Sequence, residues 1–273
     1  MNTLDVSNLR IWDNLTGKVI VLNSSFQVKQ ESCLAIVGES GSGKSVTCRA
    51  IMRLNKSNIK QTGSIQLNGV NLAKLSEAEM RKQRGRQLCL IMQNGMRAFD
   101  PSSVVGSHFK ATLQQHYAWN ASEITSRMAR AMESVMLKDP VALMNKYPHQ
   151  LSGGMLQRMM IALAIVLEPT LIIADEPTSA LDTLSQFEVM EQLISLREDT
   201  GCSMIFVSHD LGLVKRIADK IVVMKDGEVL ESGTTADIFS NTSHEYTRHL
   251  IEAKQVLNRH FSSRMGGFNL VDR

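Results

Sequence analysis

Eight residues constrain this chain more than any others: Gly38-Glu39-Ser40-Gly41-Ser42-Gly43-Lys44-Ser45. They match the pattern G-x-x-x-x-G-K-[ST] at every fixed position. Just before them, Ser32 to Val37 is a short, mostly apolar run that reads as a buried parallel strand. Just after them, Val46 to Leu54 has helical spacing, with Val46, Ala50, Ile51 and Leu54 on one side. A strand–loop–helix is the context this pattern needs. The glycines let the backbone curl so that successive N–H groups face one concavity, and the helix adds its free N-terminal N–H groups. Lys44 is then placed for β- and γ-phosphates, and the Ser45 hydroxyl for Mg²⁺. All eight residues are candidate nucleotide-binding positions.

At 273 residues the chain has room for one large or two modest domains, and 43% hydrophobic with 21% charged residues is ordinary for a globular protein. A net charge of +3 is too small for an electrostatic footprint on nucleic acid. Cys33, Cys48, Cys89 and Cys202 form no C-x-x-C pair and read as reduced, largely buried thiols. Met1 to Asp5 lacks the basic and apolar regions of a signal peptide, and the longest apolar run, Met159 to Leu167, is far short of a membrane span. Any membrane role is therefore expected to come through a partner. Met128, Met132 and Met136 repeat every four residues and are expected to fill a core.

Leu4 to Ile11, Val19 to Leu22 and Phe26 to Val28 read as short strands of an antiparallel sheet beside the nucleotide core. Trp12 closes the first of them, and its ring is a candidate either for stacking on adenine or for ordinary packing. Gly63 to Leu67 reads as a strand ending in an Asn68-Gly69 turn, Leu75 to Arg84 as a charged helix, and Leu88 to Met92 as a buried strand stopping at Gln93. From about 94 to 167 no strand follows Gln93, and a helical subdomain is expected there. Strand and helix patterns then alternate again: Leu171 to Ala174, Leu184 to Arg197, Ser203 to Val207 and Leu211 to Ala218, then a hairpin across Asp226-Gly227. The expected fold is α/β, a mostly parallel sheet core with an antiparallel β subdomain and an inserted helical subdomain. Residues 1–240 form the expected ATPase domain, and residues 241–273 a C-terminal helix with a polar tail from Asn258.

Two further stretches carry chemistry. Leu171 to Ala174 runs into Asp175-Glu176, which puts two acids at the carboxyl end of a strand, where α/β sheets place ligands. Asp175 suits the Mg²⁺ shell, and Glu176 can polarise a water for attack on the γ-phosphate. In Leu151-Ser152-Gly153-Gly154-Met155-Leu156-Gln157-Arg158, Ser152 is a natural N-cap to an apolar helix, and the two glycines leave N–H groups open to an anion.

With Gln93, Ser179-Ala180-Leu181-Asp182 and Ser208-His209-Asp210 in their order and spacing, these motifs resemble those of ABC-type ATPases over roughly residues 3 to 255. The resemblance implies several roles. Gln93 would contact Mg²⁺ and the attacking water, Glu176 would be the catalytic base, and His209 would contact the γ-phosphate. Ser152, Gly153, Gly154 and Gln157 would bind ATP held by an opposite subunit, and Asp182 would link the two sites. Mg²⁺ would be held by Ser45, Gln93 and Asp175. A head-to-tail dimer would sandwich two ATP molecules, close on ATP and open on hydrolysis.

Within that family, the stretches Tyr147 to Ala162, Ile91 to Asn94, Arg97 to Pro101 and His244 to Leu250 resemble the peptide/nickel importer branch. They are closest to the first ATPase subunits of nickel/cobalt importers that carry metal on an opine metallophore. No cysteine follows Cys202, so the iron–sulfur cluster of some peptide-importer ATPases is not expected. His244 and His249 read as surface residues. The implied partners are a second ATPase subunit (a paralogue or a second copy), two transmembrane permease subunits and an extracytoplasmic binding protein, but no nucleic acid. The implied location is the cytoplasmic face of the cell membrane. A non-transport ABC ATPase and an ATP-dependent interaction module without turnover are the competing readings.

Overall fold

The computed structural model describes residues 1–252. Strands β1 (Asn2–Asp13) and β2 (Val19–Lys29) precede β3 (Cys33–Val37), which enters the phosphate loop, and helix α1 (Lys44–Ile51), which leaves it. β4 (Ile59–Leu67), β5 (Val70–Asn71), α2 (Glu77–Gln83) and β6 (Leu88–Ile91) follow. Next come α3 (Val105–Gln114), α4 (Ala121–Ser134), α5 (Pro140–Met144) and α6 (Gly153–Leu167), with no strand before β7 (Leu171–Asp175). Then α7 (Thr183–Thr200), β8 (Ser203–Val207), α8 (Leu211–Ile217), β9 (Lys220–Lys225), β10 (Glu228–Thr234) and α9 (Thr235–Asn241) follow, and residues 245–252 are helical. The expected polar tail from Asn258 lies outside the described residues.

The strands form one sheet in the order β5-β4-β1-β2-β10-β9-β3-β8-β7-β6. From β9 to β6 every neighbour is parallel. At the other end β5, β4, β1 and β2 are antiparallel, joined to the rest by the single bridge Glu228↔Asn23. Every residue of β3, β7 and β8 is buried, because helices or strands cover both faces, and this explains their unbroken apolar runs. Cys33, Ala35 and Val37 face a core built with α3 to α8, while Leu34 and Ile36 face a second core around α1 and the antiparallel strands.

Three local expectations change. The runs at 19–22 and 26–28 are one strand, β2, whose period breaks at a β-bulge: Leu9 pairs with Ser24 but Ile11 with Val21. Helix α1 stops at Ile51, and Leu54 is exposed, because Arg53 turns left-handed (φ 52°) and its guanidinium donates to the carbonyls of Leu72 and Leu75. Met128 and Met132 are buried but Met136 is 71% exposed. Helix α4 ends before it and Met136 itself has φ 60°, so Val135 and Leu137 take the core positions.

Candidate active site

The phosphate loop is held by close contact with the sheet. A Cβ on Gly38 would sit 2.0 Å from the Met224 carbonyl oxygen, and Gly43 has φ +99° with Val21 Cγ2 3.0 Å from its would-be Cβ. Only glycine satisfies both demands at these positions. The Gly227 N–H, from the β9–β10 turn, donates to the Ser42 carbonyl (3.2 Å). Lys44 is 5% exposed, and its ammonium donates to the carbonyls of Gly38 (2.8 Å) and Glu39 (2.7 Å). Burial draws its pKa down, opposed by the carboxylates of Glu176 and Asp175. An ammonium resting on loop carbonyls in a half-dry site is ready to exchange them for phosphate oxygens.

Asp175 ends β7. Strand β8 lies between β7 and β3, yet Ser45, on α1 across the sheet face, donates its Oγ–H to Asp175 Oδ1 at 2.8 Å. Burial pushes the Asp175 carboxyl up, and the Ser45 hydrogen bond and Arg49 oppose this. A hydroxyl and a carboxylate converging on one point are hard oxygen donors, the set a Mg²⁺ ion takes.

Glu176 follows in a left-handed conformation (φ 47°), rare for a side chain of its size and found where a site over-determines the backbone. Its N–H still donates to Val207 O (3.0 Å), while Ser179 Oγ–H donates to its carbonyl (3.2 Å). Gln93 Nε2 donates both to Glu176 Oε2 (3.1 Å) and to Ser179 Oγ (3.0 Å), and His209 Nδ1 lies 3.6 Å from the same Oε2. Residues just past the ends of β6, β7 and β8 therefore meet on one carboxylate oxygen. Such a carboxylate can accept a proton from water held between it and a phosphate.

These groups line a cleft of about 680 Å³, within the usual range for a small-molecule site. Ser40, Gly41, Gly43, Lys44 and Ser45 of the phosphate loop line it together with Gln93 and Glu176. Asp13, Lys18, Val19, Ile20 and Asp226 complete the lining with Val46. Trp12 is not among the lining residues. It is half-buried within β1, next to Asp13 and paired with Val19 and Lys60, so its position adjoins two cleft-lining residues, Asp13 and Val19. The period-2 pattern hid these cleft residues as ordinary strand positions. Glu39 belongs to the loop, but its N–H donates to Tyr246 Oη (3.2 Å) rather than facing the cleft.

Ser152, Gly153, Gly154 and Asp182 gather elsewhere. Ser152 caps α6, its Oγ accepting from Met155 N (3.2 Å), and Asp182 caps α7, accepting from the Ser185 N–H (3.0 Å) and hydroxyl (2.7 Å). These bonds hold the Asp182 carboxyl below its usual range. A Cβ on Gly154 would lie 3.1 Å from Ser185 Oγ, so the two caps are packed together. None of the four lines the cleft. Gln157 departs from its expected role as an ATP contact. It is 1% exposed, and its amide donates to Met92 O (3.0 Å), tying α6 to the segment before Gln93.

Residues 21–179 match the family profile described as ABC transporter. The chain belongs to the ABC transporter ATPase family. Among relatives of this ABC ATPase is the Metal-staphylopine import system ATP-binding protein CntD of Staphylococcus aureus, 43% identical over 98% of each chain. The Dipeptide transport ATP-binding protein DppD of Lactococcus lactis is 39% identical, with 93% of this chain and 74% of that one covered. In three dimensions the ABC ATPase resembles a dimeric ATP-binding cassette in a post-hydrolysis state bound to ADP and Pi, with TM-score 0.75, 27% identity and coverage of 85% and 98%. Among the described residues no helix is long and apolar enough to cross a membrane.

Proposed function

We propose that this chain is the ATP-hydrolysing motor subunit of an importer, with Gln93, Glu176 and His209 as its catalytic centre. The reading is carried by one observation: Gln93 and His209 converge on Glu176 Oε2 beside the Ser45–Asp175 pair and the phosphate loop. Lys44 binds the β- and γ-phosphates. Ser45 and Asp175, with Gln93, would hold Mg²⁺, which would supply positive charge against that developing on the phosphates. Glu176 takes a proton from water as its oxygen attacks the γ-phosphorus and ADP leaves. Gln93 orients Glu176 and that water, and His209 contacts the γ-phosphate.

The Ser152-Gly153-Gly154 cap and Asp182 stand apart from the cleft of their own chain and serve the ATP of an opposing ATPase subunit, a paralogue or a second copy. The head-to-tail sandwich is supported by the likeness to dimeric cassettes. Hydrolysis opens that dimer, and the helical stretch 94–167 transmits the change to two permease subunits at the cytoplasmic face of the membrane. A binding protein on the other side delivers the cargo. Similarity over 98% of both chains to an ATPase named for metal-staphylopine import supports a metal–metallophore complex as that cargo, with peptides next; nickel or cobalt is the metal the resemblance of the motifs implies.

The test is Glu176→Gln in the assembled complex. Loss of general-base assistance lowers turnover by about 100-fold or more while ATP still binds and the dimer accumulates. Unchanged turnover would refute Glu176 as base. Uptake of radiolabelled nickel with its metallophore, dependent on this chain, checks the cargo.

A further inference from the structure

We propose that Tyr246, in the segment after α9, is a positioning residue for the phosphate loop, holding the Glu39 peptide on which Lys44 rests. The proposal rests on the nucleotide-site reading above. Both backbone groups of Glu39 are engaged: its carbonyl accepts from Lys44 Nζ (2.7 Å) and its N–H donates to Tyr246 Oη (3.2 Å), 207 residues away. The Ser42 N–H also donates to the Glu39 carbonyl (3.2 Å), so the Glu39 peptide braces the turn of the loop as well as the ammonium.

The tyrosine is itself tightly held. The Lys225 ammonium lies 4.6 Å from its ring centroid, and Lys225 directly precedes the Asp226-Gly227 turn that lines the cleft and donates to Ser42 O. Upstream, Glu231 on β10 clamps the segment by accepting from Thr242 Oγ1 (2.7 Å), Ser243 N (2.8 Å) and Ser243 Oγ (3.0 Å). Downstream, Ile251 is buried, and Tyr246 and Leu250 pack against the larger core. The segment after α9 is thus connected at both ends to the body and, through one hydroxyl, to the loop that grips the nucleotide. Displacement of this segment by a partner would therefore be read at the phosphate loop.

Tyr246→Phe keeps the ring and its Lys225 contact and deletes only the acceptor. In the full-length chain, dissociation constants for ADP are measured by titration calorimetry, and exchange of the Glu39 amide by NMR. A neutral hydrogen bond of this kind predicts ADP binding weakened about 3- to 10-fold and faster exchange at Glu39, with the melting temperature little changed. Glu231→Gln, which loosens the clamp without touching the loop, should move both readouts the same way. If Tyr246→Phe lowers thermal stability but leaves ADP affinity and Glu39 exchange as in wild type, Tyr246 only packs and the proposal fails. If the wild type itself does not bind ADP, the nucleotide reading fails and takes this inference with it.

Discussion

Glu231 offers a quantitative handle on how the C-terminal segment is fastened. Its pKa falls from the ordinary 4.5 to about 2. Burial works against that fall, and donors from Thr247, Thr242 and Ser243 outweigh it, Thr247 without a hydrogen bond of standard geometry. At about 1.36 kcal/mol per pKa unit the full drop would amount to about 3 kcal/mol. The carboxylate is only partly buried, and solvent screening brings the expected contribution to about 1–2 kcal/mol. The folded state binds the Glu231 proton less readily than the unfolded state. Its contribution is therefore fully present above the unfolded value of 4.5 and is lost as pH falls towards about 2. Urea unfolding of wild type and Glu231→Gln, followed by circular dichroism, should differ by about 1–2 kcal/mol near pH 7, with the gap narrowing steadily below about pH 4.5. A gap of constant size from neutral to acid pH would mean that the side chain acts by shape alone. No gap at neutral pH would mean that the clamp contributes nothing.

Two further outcomes follow from the cleft and its supports. Gln157→Ala leaves the buried Met92 carbonyl without its donor and opens a void under α6, so denaturant unfolding should show a loss of about 2–4 kcal/mol; a loss below about 0.5 kcal/mol would show that the bond carries no weight. Ser45→Ala removes the hydroxyl partner of Asp175, so the gain in nucleotide affinity on adding Mg²⁺, measured by calorimetry, should shrink at least about tenfold while metal-free binding stays near wild type. An unchanged Mg²⁺ response would remove Ser45 from the metal shell.

What the chain announced by itself was local. Gly38 to Ser45 is contiguous, so the strand–loop–helix that makes it a phosphate site is visible in the order of residues, and Asp175-Glu176 could be placed because an apolar run must end where its strand ends. The two-faced burial of β3, β7 and β8 was likewise written as unbroken apolar runs. Roles for Gln93 and His209 needed the family resemblance, because each alone is only a polar residue past a strand. Their meeting on Glu176 depends on which strands are neighbours: Gln93 is 83 residues from Glu176, and only the parallel order of β8, β7 and β6 aligns the strand ends.

Tertiary packing also decided against one expectation. Gln157 sits in the motif, but helix α6 turns it inward to Met92. Tyr246 illustrates the same limit from the other side. Sequence patterns report periodicity and short-range hydrogen bonding, whereas a hydroxyl meeting a backbone N–H 207 residues earlier exists only once β9, β10 and the segment after α9 have packed against the loop.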